Sequence, residues 1–141
     1  MPDTDDLEEK LLSEVGDLMS REIRTVAADA TLREASGLMG KYNVGSLLVV
    51  GGGQYLGILT DTDLARKGLA QGVNPEMDRV QSLMSSPIIS IDIHRLVEEA
   101  RALMKGKGIR HLAVTEEGKI VGIISLGDLI RYYAATFKMT E

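Results

Sequence analysis

The sequence predicts an α/β (α+β) fold in which two β-α-β-β-α repeats form one compact module, with an N-terminal lead-in helix in front of them. Three observations predict it. The first is a duplication: what begins at Val15 begins again at Val80, and the two halves align without a gap at an offset of 65, Met19 falling on Met84. The second is a stretch present in both halves, Gly57-Ile58-Leu59-Thr60-Asp61-Thr62-Asp63-Leu64 and Gly122-Ile123-Ile124-Ser125-Leu126-Gly127-Asp128-Leu129. In each, a short apolar run ends in a hydroxyl residue, an aspartate follows three positions later, and a helical apolar periodicity starts, the pattern of a buried strand running into a helix. The third is size: each copy has only about 55 residues and would be marginal alone, so the halves are expected to bury apolar faces against each other about a pseudo-two-fold axis.

The lead-in helix is read from residues 4–19, where Leu7, Leu11, Leu12, Val15, Leu18 and Met19 recur at helical spacing and Asp5, Asp6, Glu8 and Glu9 load the first turn in the sense the dipole favours. Each repeat then starts with a short extended piece, Ile23 to Val26 or Ile88 to Ile91. A helix follows over Thr31 to Tyr42 or Arg95 to Gly106, with Leu32, Ala35, Leu38 and Met39, or Val97, Ala100, Leu103 and Met104, on one face. Thr31-x-x-Glu34 is a capping box for the first helix, and Asn43 or Gly106/Gly108 stops them. Two strands come next, Ser46 to Val50 and Tyr55 to Leu59, or Leu112 to Thr115 and Ile120 to Ile124. Their connections, Gly51-Gly52-Gly53-Gln54 and Glu116-Glu117-Gly118-Lys119, read as hairpin turns. The last helix of each copy begins at Thr60 or Ser125. The domain reading is residues 1–14 for the amphipathic lead-in, 15–72 for the first repeat, and 73–141 for the second with an apolar tail of Ile130, Tyr132, Tyr133, Ala134 and Phe137.

Composition narrows the function. The 141 residues are 44% hydrophobic and 26% charged, and no apolar run approaches the roughly 18 residues of a membrane span. With an acidic rather than basic start, the chain is expected to be cytoplasmic and to have no membrane role. A net charge of −5 and a pI near 5.1 leave no broad basic face for nucleic acid. There is no cysteine and only His94 and His111, so disulfides and thiolate chemistry are absent and a metal site is not expected.

The candidate site residues are the hydroxyl and carboxylate of each strand-to-helix junction, Thr60 with Asp63 and Ser125 with Asp128. Read from spacing, both pairs fit a capping box. They also face the positive end of a helix, where anionic and sugar-bearing ligands are readily held, and both readings stand on the residues alone. Arg110 and His111 enter the second hairpin; they are either an exposed pair bonding acids such as Glu116 and Glu117 or a local cationic cluster. His94, in the turn before a helix, reads as a solvated loop residue.

The duplicated unit, with its hydrophobic-Gly-hydrophobic-hydrophobic-(Ser/Thr)-x-x-Asp-hydrophobic end and Ile109-Arg110-His111-Leu112-x-Val114, resembles a tandem pair of cystathionine-beta-synthase-type (CBS) domains over residues 15 to 135. The resemblance implies a disc-like module with two clefts between the repeats that bind adenine nucleotides (AMP, ADP, ATP) or S-adenosylmethionine as regulatory ligands, with no required cofactor. By the same resemblance Asp63 and Asp128 would hold ribose hydroxyls, with Thr60 and Ser125 nearby. Arg110 and His111 would contact phosphate where the first repeat has Gly45 and Ser46. The segments around Arg24 and Pro87-Ile88-Ile89 would pack against the base. Because Gly45 and Ser46 stand where the second repeat has Arg110 and His111, the two clefts are not expected to be equivalent; Arg24 has Ile89 as its counterpart, so a phosphate contact there stays open.

The function expected is that of a stand-alone, non-catalytic sensor signalling to an unknown protein partner. The lead-in helix and tail offer more apolar surface than two small repeats cover, so a homodimer is expected. Two alternatives are a ligand-free structural dimerisation module and a metal-dependent nucleotide hydrolase using Asp61, Asp63 and Asp128.

Overall fold

The computed structural model describes residues 12–138, with side chains described as far as Thr136. Most of the lead-in helix, including Leu7 and Leu11, lies outside the described residues, as does the side chain of Phe137; the described part ends in a short helix α1 (Val15–Leu18). The chain forms two compact units. One is contiguous, Ile23–Ile88; the other is composite, built from the described residues up to Glu22 and those from Ile89 onward.

The contiguous unit contains β1 (Thr25–Ala27), α2 (Leu32–Tyr42), β2 (Ser46–Gly51), β3 (Gln54–Thr60), a short α3 (Asp61–Asp63) and α4 (Val80–Leu83). The composite unit adds to α1 the elements β4 (Ser90–Asp92), α5 (Val97–Lys107), β5 (His111–Glu116), β6 (Lys119–Ser125) and α6 (Leu126–Lys138). Each unit holds one three-stranded sheet, ordered β1-β2-β3 or β4-β5-β6, whose first pair is parallel and second antiparallel. The duplication persists in the register. Thr25 pairs Leu48 and Leu48 pairs Ile58, while Ser90 pairs Ala113 and Ala113 pairs Ile123, and both sheets carry an irregularity at the same place, Val49/Val50 and Val114/Thr115.

Local chemistry explains the boundaries. Thr31 accepts from the Glu34 N–H (3.2 Å) while the Thr31 N–H donates to the Glu34 carboxylate (3.3 Å), closing the box that starts α2. Asn43 and Gly108 end α2 and α5 in the left-handed region, and Gly106 stays inside its helix. In the hairpins Gly52 and Gly53 have φ of 58° and 75°, and Glu117 and Gly118 have 51° and 80°. Two consecutive positive values mark the turn whose twist matches that of the flanking strands.

The cores show which segment belongs with which sheet. Val80 and Leu83 fill the core formed by Val26, Leu32, Ala35, Met39, Leu47, Val49 and Leu59. The counterpart of Val80, Val15, with Met19, fills the core formed by Ile91, Val97, Ala100, Met104, Leu112, Val114, Ile124 and Leu129, and Leu18, the counterpart of Leu83, packs against it. The opening segment of each sequence repeat therefore completes the sheet of the other repeat. The backbone repeats this arrangement: Val15 N–H donates to Arg95 (2.8 Å) and Ser20 exchanges two bonds with Ile123 (2.8 and 3.0 Å), as Val80 does with Ala30 (2.9 Å) and Ser85 with Ile58 (2.8 and 3.0 Å). The glycine opening each motif has its reason here. A Cβ on Gly57 would lie 2.7 Å from the Ser85 carbonyl oxygen, and one on Gly122 would lie 2.7 Å from that of Ser20.

The repeats differ in their last helix. The motif predicts a helix at both junctions, and α6 runs regularly from Leu126 to Lys138 with Leu129 buried and Tyr132 and Tyr133 packed on the composite core. After α3, by contrast, the chain widens into a π-helical stretch, Leu64–Gly68, then a 3₁₀ turn, Leu69–Gln71, closed by Gly72 at φ 70°. The cause is the return of the chain: Gly68 is buried against Leu83 and Val73, and the segment from Asn74 to Arg79 bonds back onto the start of α2 through Pro75 and Asp78. In the composite unit Tyr132 donates to Ser13 (3.0 Å) and Tyr133 to Glu98 (2.8 Å). Partial burial and the Glu98 carboxylate push the Tyr133 hydroxyl up to about 12.

Candidate functional site

The strand-to-helix junctions lie where the middle strand of each sheet begins and the last strand ends. In the composite unit His111 is the first residue of β5 and pairs directly with Ser125, the last of β6. The Arg110 carbonyl accepts from the Leu126 N–H (2.8 Å), the first of α6. Ser125 accepts from the Asp128 N–H (3.2 Å) and its own N–H donates to Asp128 Oδ2 (2.8 Å). Ile89, whose carbonyl accepts from Ala113 N–H (3.2 Å), reaches the same end of the sheet and packs on the core. Arg110, His111, Ser125, Asp128 and Ile89 are thus brought together within one unit.

The contiguous unit assembles the equivalent set. Ser46 pairs with Thr60, the Gly45 carbonyl accepts from Asp61 N–H (2.9 Å), and Arg24 sits beside them with its carbonyl accepting from Leu48 N–H (3.0 Å). The Arg24 guanidinium stacks on the Tyr42 ring, 4.0 Å from its centroid. Thr60 accepts from Asp63 N–H (3.1 Å) and its N–H donates to Asp63 Oδ2 (3.0 Å). Pro87 and Ile88 close this unit, the former exposed after a cis peptide bond and the latter half-buried.

Both aspartates are therefore caps, and the geometry of the capping reading is present at each. Their remaining oxygens differ. Asp128 Oδ1 accepts from Arg131 (2.6 Å), and the side chains are 22% and 72% exposed. Asp63, its side chain 8% exposed, accepts from Lys67 (3.0 Å) and from the Ser85 hydroxyl (3.2 Å). Lys67 also donates to the Leu83 carbonyl and Ser85 Oγ, both at 3.2 Å. Sequence reading missed Lys67 and Ser85. The signals were an i,i+4 spacing from Asp63 and the alignment of Ser85 with Ser20.

Arg110 is exposed, and the acids suggested as its partners stand elsewhere: Glu116 ends β5, where it pairs with Lys119, about 17 Å along the strand from His111. His94 is exposed in its turn and bonds Glu14 (3.1 Å), whose carboxylate raises the imidazole above its ordinary value. Asp61 is exposed and accepts from the Thr62 N–H (2.8 Å). Among the described residues no three His, Asp or Glu side chains stand together as a metal-binding group, and no helix is long and apolar enough to cross a membrane.

Comparison with known proteins agrees with the duplicated architecture. A family model described as CBS domain matches residues 15–69 and again 80–135. The chain is 37% identical over 118 residues to the CBS domain-containing protein YhcV of Bacillus subtilis, covering 84% of each chain. Among solved structures it is similar to an uncharacterized conserved protein from Pyrococcus horikoshii, with a TM-score of 0.82, 29% identity and coverage of 87% of this chain and 93% of that one. It is also similar to a CBS-domain containing protein from Agrobacterium tumefaciens, with a TM-score of 0.80, 28% identity and coverage of 87% and 95%.

Proposed function

The chain belongs to the CBS-domain family, carrying two copies of the domain, and from that membership we propose that it is a non-catalytic regulatory module that binds an adenosine-containing ligand at the Asp128 junction and passes its occupancy to a partner protein. The observation that supports this reading most is the state of Asp128. One carboxylate oxygen caps α6, and the other faces Arg131, whose side chain is 72% exposed. An ionised carboxylate has about four acceptor positions, so Oδ1 takes two vicinal ribose hydroxyls without breaking the cap. An exposed ion pair contributes only about 0–1 kcal/mol, so Arg131 turns aside at little cost and its charge is then at hand for phosphate. Arg110 supplies further positive charge and His111 a ring N–H donor beside Ser125, and Ile89 supplies apolar surface for the base. AMP, ADP, ATP and S-adenosylmethionine all carry the diol and the adenine this requires.

Signalling follows from where α6 begins. The helix starts at the ligand and presents Ile130, 59% exposed, a turn further on. Occupancy reaches a partner only if the ligand binds two states of the chain with different affinity. Leu12, 62% exposed in the same unit, extends the apolar surface offered to a second copy of the chain. Sedimentation at micromolar concentration is expected to show twice the 15.3 kDa chain mass, and a species of one chain mass would remove the dimer from the proposal.

The test of ligand class is a melting panel. At about 100 times its dissociation constant a ligand adds roughly 2.7 kcal/mol, on the order of 5–10 °C for a chain of this size. Adenosine ligands are expected to produce that shift and guanine nucleotides a smaller one. If no adenosine ligand moves the midpoint by even about a degree, the chain is a structural module instead. Phosphate release from ATP with Mg²⁺ would move it to the hydrolase class.

A further inference from the structure

We propose that only one of the two junctions takes ligand, because the other is closed from within: Lys67 and Ser85 occupy the Asp63 carboxylate and make it a structural lock. The inference rests on the ligand reading of Asp128. The two aspartates are equivalent in sequence and in their capping bonds, so what separates them is their surroundings. Asp63 Oδ2 accepts from the Thr60 N–H, Oδ1 from the Lys67 ammonium at 3.0 Å, and the Ser85 hydroxyl bridges both oxygens at 3.2 and 3.4 Å. Three donors already take most of the acceptor positions a carboxylate has. Asp63 is 6% exposed as a residue, and Asp128 is half-buried, facing an arginine that extends into water.

The neighbours that close one junction are diverted at the other. At the position of Lys67 the composite unit has Tyr132, whose hydroxyl donates to Ser13. At the position of Ser85 it has Ser20, whose hydroxyl oxygen accepts from the Glu22 N–H (3.3 Å), while the Asp128 carboxylate is held by the Ser125 N–H and Arg131. The π-helical stretch belongs to the same device. Its residue Lys67 ties three points together, Asp63, the Leu83 carbonyl and Ser85 Oγ, so the end of α4 is fastened to the end of α3. A ribose at Asp63 would displace a charge and a hydroxyl held by several bonds, whereas a ribose at Asp128 displaces one exposed ion pair. The Lys67 side chain is 43% exposed but the carboxylate it meets is only 8% exposed, and taking a donor from a buried carboxylate is destabilising because that charge is left uncompensated. Asp63 accordingly stabilises the contiguous unit and does not serve the ligand.

The test titrates AMP, ADP, ATP and S-adenosylmethionine into the full chain by calorimetry and melts the same variants without ligand. The parent is expected to bind one equivalent per chain. Asp63→Asn should keep that stoichiometry and its affinity within about twofold while lowering the melting midpoint by several degrees. The loss in the Asp63→Asn/Lys67→Met double variant should be smaller than the two single losses added, since both remove one pair. Should Asp63→Asn fail to fold, Ser85→Ala replaces it with the same expectations of unchanged affinity and lower midpoint. Two equivalents in the parent, or a tenfold or greater loss of affinity in Asp63→Asn or Ser85→Ala, would overturn the lock and leave the proposed function standing. If the parent binds none of the four ligands, the proposed function falls and the melts decide the lock: a non-additive loss supports it, and additive or absent losses overturn it.

Discussion

Each feature shared by the two motifs has a separate physical cause at the scale of single residues. The opening glycines are not there for backbone freedom. They are there for space, because the crossing backbone at Ser20 or Ser85 leaves no room for a methyl group. Gly122→Ala is therefore expected to cost about 2–3 kcal/mol, since the obstacle is a carbonyl oxygen rather than a flexible side chain. Gly37 in α2 has nothing within 4 Å of its would-be Cβ, so Gly37→Ala should instead raise stability by about 0.5–1 kcal/mol. Denaturant titration of both variants checks the pair; equal effects would contradict this account of the motif glycine. The aspartates show the limit of reading residues in sequence. Asp63-Leu64-x-Arg66 and Asp128-Leu129-x-Arg131 look alike, and it is Lys67, one turn further on, together with Ser85, from 22 residues along the chain, that makes one buried and the other accessible.

Most elements were legible because their causes are local. Short apolar runs marked the strands, a 3.6-residue stripe marked α2 and α5, and Thr31-x-x-Glu34, Asn43 and the paired hairpin turns set the boundaries to within a residue or two. What escaped was set by distant packing. Nothing in the pattern of Val15, Leu18 and Met19 says which sheet they complete, and nothing in Leu64–Gly68 says that the helix widens where Gly68 meets Leu83. The exchange of opening segments has a testable consequence. Val15 is fully buried in the composite core, so Val15→Ala should cost about 2 kcal/mol. Hydrogen exchange should then show faster exchange in β4, β5, β6 and α6, with β1, β2 and β3 protected as before. Loss of protection confined to β1–β3, the sheet of Val15's own sequence repeat, would contradict the assignment.

For the whole molecule, gene-level symmetry and chemical symmetry part company. The duplication provides two copies of one sheet with one register and two capped junctions, and the family assignment follows from that. The contacts around the junctions then make them unequal: a stacked arginine and a locked aspartate in one unit, and exposed Arg110 and Arg131 with an accessible aspartate in the other. The fold was readable from the sequence alone because both copies repeat every pattern, while the inequality was readable only in part, from Arg24 facing Ile89 and Arg110-His111 facing Gly45-Ser46 in the alignment. The claim that joins these scales is that Asp128 serves as a cap and as a ribose acceptor with the same side chain. Calorimetric titration of AMP and 2′-deoxy-AMP into the parent and into Asp128→Asn tests it most directly. Hydrogen bonds to a charged group contribute about 1.5–3 kcal/mol each, so both the deoxy ligand and the variant should bind roughly 10²-fold more weakly. The unliganded melting midpoint of Asp128→Asn should stay close to the parent's, because an amide oxygen still accepts the capping bond and a lost cap costs only about 1 kcal/mol. Equal affinity of the parent for both ligands, together with undiminished AMP binding by Asp128→Asn, would contradict the account and leave the aspartate a cap and nothing more.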